Sequence, residues 1–95
     1  MYYLPMDVTW DPKKATANFQ KHRIRFSDAE TVLYDPFAMT LEDQNVASER
    51  RFLTIGADTI GRIVVVVYSY RADTIRLVSA RKATSMERKQ YEKGI

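Results

Sequence analysis

The stretch that decides the fold is residues 63–70, which read Ile-Val-Val-Val-Val-Tyr-Ser-Tyr. β-Branched and aromatic residues favour extended backbone, and a continuous aliphatic run is typical of a central strand covered on both faces. The run therefore predicts the middle of a β-sheet. Its six consecutive apolar residues are far fewer than the about 20 that a membrane-spanning helix needs, so we expect no membrane contact.

Shorter strands are predicted on both sides of this run. After a turn at residues 71–74, Ile75 and Leu77 are predicted to share one face of the next strand, and Arg76, Val78 and Ala80 the other. A polar loop is predicted at 42–48. The strands predicted outside the central run are residues 6–10, 38–41, 51–55 and 75–81.

Three helices are indicated by their caps. Asp11-Pro12 starts a helix that runs to His22, since an Asp N-cap followed by Pro is a typical helix start. Capping boxes at residues 27–30 and 84–87 start two more helices, the last of which ends at Gly94. The order predicts an α+β fold: an antiparallel sheet of three to four strands, with two N-terminal helices on one face and a C-terminal helix.

Length and composition exclude several classes of protein. The 95 residues predict a single domain, 1–95. With no cysteine and one histidine, neither disulfides nor a zinc site is expected. The three glycines form no phosphate-binding loop. We therefore expect a cytoplasmic protein with no metal and no cofactor.

The positive charge is concentrated in the second half of the chain. Residues 1–49 carry five basic and eight acidic side chains, whereas residues 50–95 carry ten basic and four acidic ones. Seven of the ten are arginines, whose planar guanidinium matches phosphate oxygens. A polyanion partner and an ordinary solvated surface are both compatible with this charge.

The chemistry that these residues allow is the cleavage of RNA without a metal ion. RNA supplies its own nucleophile, the 2′-hydroxyl, so a protein needs only cations and a proton acceptor and donor. His22 is a candidate acid or base, or else a packing residue at a helix end. Glu49 is a candidate base, or else an ion-pair partner. Trp10 and Phe19 either stack on an RNA base or belong to the core.

The ordered set of motifs resembles the BrnT family of bacterial toxins, the toxic half of BrnT/BrnA toxin–antitoxin pairs. The matching elements are Trp10-Asp11-Pro12, Asn18, Lys21-His22, Asp35-Pro36, Glu49-Arg50-Arg51-Phe52, Ile55-Gly56, Ile75-Arg76, Ser79-Ala80-Arg81, Ala83, Glu87 and Tyr91. Two departures are visible. Arg23 stands where the family commonly has glycine, and Arg50 stands where a second acid is common.

The resemblance implies a RelE-like fold, metal-independent RNA cleavage that arrests growth, and neutralisation by a BrnA-like antitoxin with a ribbon-helix-helix domain. DNA would be contacted only through that antitoxin. The hypothesis assigns catalysis to His22, Glu49, Arg51, Arg76 and Arg81, and RNA binding to Lys21, Arg50 and Arg71. The alternatives are a non-enzymatic basic module that binds RNA or DNA, and an interaction domain whose apolar sheet face another chain covers.

Overall fold

The chain folds into a five-stranded sheet with three helices. The structure is a computed structural model that describes residues 7–43 and 49–94. Its elements are β1 (Asp7–Thr9), α1 (Pro12–His22), α2 (Phe26–Val32), β2 (Met39–Asp43), β3 (Arg51–Ala57), β4 (Ile63–Arg71), β5 (Thr74–Lys82) and α3 (Ser85–Lys93). None of the helices in these two segments is long and apolar enough to cross a membrane.

The strand order is β1-β5-β4-β3-β2, with the aliphatic strand β4 in the centre. The α+β class is therefore confirmed, whereas the prediction of a purely antiparallel sheet of three to four strands is wrong. Strands β2 to β5 pair antiparallel, but β1 lies parallel to β5 and pairs Asp7 with Thr74. The strand itself was predicted at residues 6–10, but its parallel pairing with a strand more than 60 positions away follows from no local pattern.

Two boundaries also differ from the prediction. β2 continues to Asp43, so the predicted loop does not begin at Glu42; residues 44–48 of that loop and Met6 of the first predicted strand lie outside the described residues. The capping box predicted at residues 27–30 is wrong, because α2 begins at the buried Phe26 and its N-cap is Arg25.

The main core lies between the sheet and the first two helices. Val64 and Val66 of β4 and Ile75 of β5 are fully or almost fully buried there, against Ile24 and Phe26. Burial of one such side chain contributes roughly 1.5–3 kcal/mol. Because the neighbours Val65 and Arg76 alternate with these residues, they point to the second face of the sheet. We call this second face the open face.

Asn18 fastens α1 to the sheet. Its buried side-chain amide donates to the carbonyl oxygens of Ala80 at 2.9 Å and Ile24 at 3.1 Å, and its Oδ1 accepts from the backbone N–H of Ala80 at 3.0 Å. A buried amide that is satisfied on both ends fixes the position of the helix along β5, because any slip would leave polar groups unpaired.

The two ends of α1 follow from its sequence. The Asp11 carboxylate accepts from the backbone N–H of Lys13 at 2.9 Å, and Pro12 takes the first helical position. At the other end Arg23 adopts the left-handed conformation, with φ 61° and ψ 28°. Arginine thus keeps the cap geometry usual for glycine, at a strain of roughly 1 kcal/mol.

Helix α3 is held to the open face mainly by polar contacts. Its capping box at Thr84 and Glu87 is present as predicted. Glu87 pairs with Arg81, which lies in register with Val65 of the open face. The N-terminal end of α3 therefore lies on the open face. The helix also contacts β3. At the other end the Tyr91 hydroxyl donates to Asp35 at 2.6 Å.

Candidate active site

One row of side chains crosses the open face at the end of the sheet away from α3. The register aligns Arg51 of β3 with Ser69 of β4, Ser69 with Arg76 of β5, and Arg76 with Thr9 of β1. Side chains of directly paired residues stand on the same face, with Cβ atoms about 4.5–5.5 Å apart. We call these four residues the arginine row.

Glu49 lies at one end of this row, just before β3. Its carboxylate is 3.3 Å from Nε of Arg51 and 4.0 Å from Nη2 of Arg71. Arg71 stands two residues beyond Ser69 on β4, so it faces the same way. A single carboxylate is therefore held between two guanidinium groups.

The pKa of Glu49 is lowered by its surroundings. The largest cause is the hydrogen bond from Arg51, followed by the nearby Ser69 hydroxyl and the charges of both arginines. The lowered pKa keeps the carboxylate ionised at neutral pH. Glu49 is thus in the proton-accepting form in the free protein.

Ser69 is the buried centre of the row. The residue has no exposed surface, and its Oγ has no hydrogen-bond partner of standard geometry within residues 7–43 and 49–94. The hydroxyl is near enough to Glu49 to lower the pKa of that carboxyl, but it does not form a well-aligned bond. A buried hydroxyl without a good partner is costly. Because Ser69 has no exposed surface, a ligand would reach this donor only after the neighbouring side chains had moved.

Arg76 carries the unneutralised charge of the site. It is half-buried beside Ser69, and within the described parts of the chain it makes no ion pair. Together with Arg51 and Arg71 it gives three cations beside two anions, Glu49 and Asp43, the second of which stands opposite Arg51 in the register of β2 and β3. An excess of fixed positive charge on a concave or flat surface attracts a polyanion.

Two other predicted arginines have different environments. Arg81 lies on the open face, but both of its Nη atoms bind the Glu87 carboxylate, at 2.8 and 2.9 Å. This pair raises the pKa of Arg81 and lowers that of Glu87 to about 2. Arg50 pairs with Glu42 at 2.9 Å and lies over the Phe52 ring, on the side of the sheet that faces the helices. Neither arginine joins the row.

His22 and Lys21 lie at the opposite end of the molecule. They end α1, and the carbonyl of the next residue, Arg23, accepts from Arg62 at 3.4 Å. Arg62 directly precedes β4, whereas Arg71 ends it; nine strand residues span roughly 26 Å. The structure therefore does not bring His22 to the same phosphate as Glu49, Arg71 and Arg76.

Sequence reasoning missed Ser69 and Thr9 as parts of the site. Ser69 had a visible signal, since it is a polar residue within an aliphatic and aromatic strand. Thr9 had none, because its place beside Arg76 depends on the parallel pairing of β1. In the described residues no group of three or more acidic or histidine side chains is placed to hold a metal ion.

The fold and the arginine row together define a small basic α+β domain with a cationic sheet face. Residues 10–87 match the family model described as ribonuclease toxin, BrnT, of type II toxin–antitoxin systems. The chain belongs to this family, which confirms the resemblance found in its motifs. No curated protein sequence matches it.

A solved structure supports the same fold. The crystal structure of the Brucella abortus ribonuclease toxin BrnT, at 1.1 Å resolution, matches with a TM-score of 0.66 and 24% sequence identity. The match covers 84% of this chain and 99% of the Brucella chain. The RelE-like label and the roles of individual site residues stay predictions.

Proposed function

We propose that this chain is the toxin of a type II toxin–antitoxin pair and cleaves RNA in the cytoplasm without a metal ion. The observation that carries the proposal is the cluster of Arg51, Arg71 and Arg76 around Glu49 and the buried Ser69 hydroxyl. The cluster supplies what attack by a 2′-hydroxyl requires: fixed cations for the phosphate and a carboxylate for the proton.

The reaction begins when a phosphate of the RNA settles over Ser69, between the arginines. Glu49 takes the proton of the neighbouring 2′-hydroxyl, and the oxygen attacks phosphorus. The bond to the 5′-oxygen breaks, which leaves a 2′,3′-cyclic phosphate and a 5′-hydroxyl end. The three arginines stabilise the extra charge on the phosphate oxygens, and the leaving oxygen takes its proton from water.

The ion pairs of the free protein prepare this step. Arg51 and Arg71 are already held beside Glu49, so little ordering is needed when the phosphate arrives. Once they turn to the phosphate, Glu49 loses the interactions that lower its pKa. Its pKa then rises, and the carboxylate becomes a stronger base at the moment of reaction.

Glu49 is therefore our candidate base in preference to His22. We assign Lys21, His22 and Arg50, which lie outside the row, to contacts with other parts of the RNA. Arg81 would act through α3, because Glu87 pairs with its guanidinium. Since Glu49 also neutralises two arginines, a module that binds RNA without cleaving it stays the second candidate. RNA length over time separates the two.

The test is cleavage of a fluorescently labelled RNA by the purified protein in EDTA. We expect Arg76→Ala and Glu49→Gln each to slow cleavage by about 10²–10³-fold, the usual cost of removing one group that stabilises a transition state. Arg88→Ala is the control, since Arg88 is an exposed arginine of α3 outside the row. Full activity of Arg76→Ala, or activity that EDTA abolishes, would overturn the mechanism.

We also propose that the partner is an antitoxin of the BrnA-like ribbon-helix-helix type. The support is an apolar strip on the open face beyond the row, formed by Leu41, Leu53 and Val67, of which Leu41 is 59% exposed. An antitoxin segment laid over the strip and the arginines would bury apolar surface and exclude RNA together. Co-expression that fails to restore growth or to yield a complex would refute this pairing.

A further inference from the structure

A second cleft lies on the helical side of the molecule, away from the arginine row. It has a volume of about 480 Å³ and is lined by residues of α1, the α1–α2 turn and the start of α2, together with Trp10. Its charged groups are the guanidinium groups of Arg23 and Arg25, with Thr16, Gln20 and Ser27 as neutral polar neighbours. Its aromatic rings are those of Phe19 and of Trp10, which is half-buried and packs edge-on against Phe26. The function proposed above makes no use of it.

The two arginines share one aromatic ring. The guanidinium carbon of Arg25 is 4.5 Å from the centre of the Phe19 ring, and that of Arg23 is 5.5 Å from it. Neither arginine has a carboxylate partner in the part of the chain that the structure describes. Two cations over one ring, neither neutralised by a carboxylate of the described residues, favour an anion at this place.

The backbone of Arg23 adds a second argument. It occupies a left-handed conformation that glycine adopts without strain. The chain nevertheless places a long cationic side chain here, over Phe19 and next to the cleft. A charge that is kept at a strained position indicates a use for that charge.

We propose that this cleft is a second RNA-binding site, in which Arg23 and Arg25 hold a phosphate and an unpaired base stacks against Trp10 or Phe19. Guanidinium groups beside partly exposed aromatic rings are a combination that single-stranded RNA recognises. An acidic peptide would use the charges but not the rings. The site rests on the proposed function, in which RNA is the substrate.

The Trp10 end of the cleft lies next to the arginine row, whereas Arg23 lies at the far end of α1, beside Arg62. The row ends at Thr9 on the edge strand β1, beside Arg76. Trp10 is the next residue along the chain, so its Cα lies within about 9 Å of the Cα of Arg76. One RNA strand can therefore pass from the row around the β1 edge into the cleft, and the site would favour longer substrates.

Trp10 is the only tryptophan of the chain, so its fluorescence reports on this cleft. The probe is a single-stranded 2′-O-methyl RNA of ten nucleotides, which has no free 2′-hydroxyl and cannot be cleaved by the proposed mechanism. We expect it to quench Trp10, and Arg25→Glu to weaken the quenching titration at least tenfold. Arg23→Gly should weaken it too while unfolding at an equal or higher temperature, since glycine relieves the strain. Arg88→Glu is the charge-matched control and should bind like the unchanged protein.

The outcomes separate this site from the proposed function. If unmodified RNA is cleaved but the probe neither quenches Trp10 nor responds to Arg25→Glu, the second site is wrong and the catalytic proposal stands. If Trp10 is quenched as expected but no RNA is cleaved, the site stands and the enzyme proposal fails. Quenching by polyglutamate but not by the RNA probe would overturn the site in favour of an acidic protein partner.

Discussion

The contact between Arg81 and Glu87 should be a principal anchor of α3, and Glu87→Gln tests it. Two hydrogen bonds of 2.8 and 2.9 Å join the carboxylate to Arg81, and Oε1 also accepts the backbone N–H of Thr84 at 2.8 Å. Glutamine keeps one acceptor for Thr84 but removes the negative charge. The helix has no buried residue of its own, so few apolar contacts would compensate.

The magnitude follows from the pKa of Glu87, which Arg81 chiefly lowers from 4.5 to about 2. At about 1.4 kcal/mol per pKa unit this corresponds to roughly 3 kcal/mol. The side chain of Arg81 is 37% exposed, and solvent screening reduces the value of such a pair. We therefore expect Glu87→Gln to lower the free energy of unfolding by about 1–2 kcal/mol at pH 7.

The lowered pKa of Glu87 also determines how the stabilisation by this ion pair changes with pH. Because the pKa of Glu87 is lower in the folded protein than in the unfolded chain, the stabilisation is complete above pH 4.5 and is lost as the pH falls towards 2. Urea unfolding followed by circular dichroism at several pH values measures the difference between the two proteins. That difference should shrink steadily below pH 4.5.

Glu92→Gln is the matched control, because it removes an exposed carboxylate of the same helix and should leave stability within about 0.5 kcal/mol of the original. If Glu87→Gln is as stable as the original protein at pH 7, the ion pair of Arg81 and Glu87 does not stabilise the fold. If the loss is the same at pH 7 and at pH 2.5, it comes from packing and not from the charge.

Three further substitutions test the fold. Asn18→Ala should cost about 2–4 kcal/mol in urea unfolding, since it leaves the backbone N–H and C=O of Ala80 unpaired in the core, whereas Gln20→Ala on the exposed side of α1 should cost little. Gly56→Ala should cost about 1–3 kcal/mol, because the new Cβ would lie 3.0 Å from Cγ1 of Val32. Tyr91→Phe should cost about 1 kcal/mol at pH 7. Its cost should vanish as the pH rises from 10 to about 12, because the Asp35 hydrogen bond raises the pKa of the Tyr91 hydroxyl to about 12.

Local rules predicted most of the elements. The aliphatic run gave the central strand, Asp11-Pro12 the start of α1, and the Thr84 capping box the start of α3. These signals depend only on neighbouring residues. The place of β1 depends on a distant parallel pairing, and the start of α2 depends on burial of Phe26. Such tertiary effects override local preference.

In the candidate site, too, the sequence predicted what depends on neighbouring residues and missed what depends on tertiary structure. Alternation along β5 predicted that Arg76 projects from the face opposite Ile75 and Leu77, and the register agrees. The same alternation was wrong for Ala80, because an irregularity in the pairing with β4 after Leu77 returns Ala80 to the core side. Which cations meet Glu49, by contrast, is decided by strand register, and the separation of His22 is decided by where α1 ends over the sheet. A sequence pattern gives a side chain's direction within its own strand but not its neighbours across three strands.

The balance of charge in each ion-pair cluster distinguishes the arginines that serve the fold from those available to a ligand. Arg62 meets two carboxylates, Asp58 and Asp28, at 2.8 and 3.2 Å, and the Asp58 side chain is fully buried. Acids outnumber the base in that cluster, so an incoming phosphate would be repelled. Around Glu49 the ratio is reversed, with three arginines to two carboxylates, Glu49 and the Asp43 that stands opposite Arg51. A phosphate bound there would neutralise the remaining positive charge of the arginines. We therefore place RNA on the open face and not at the Arg62 turn.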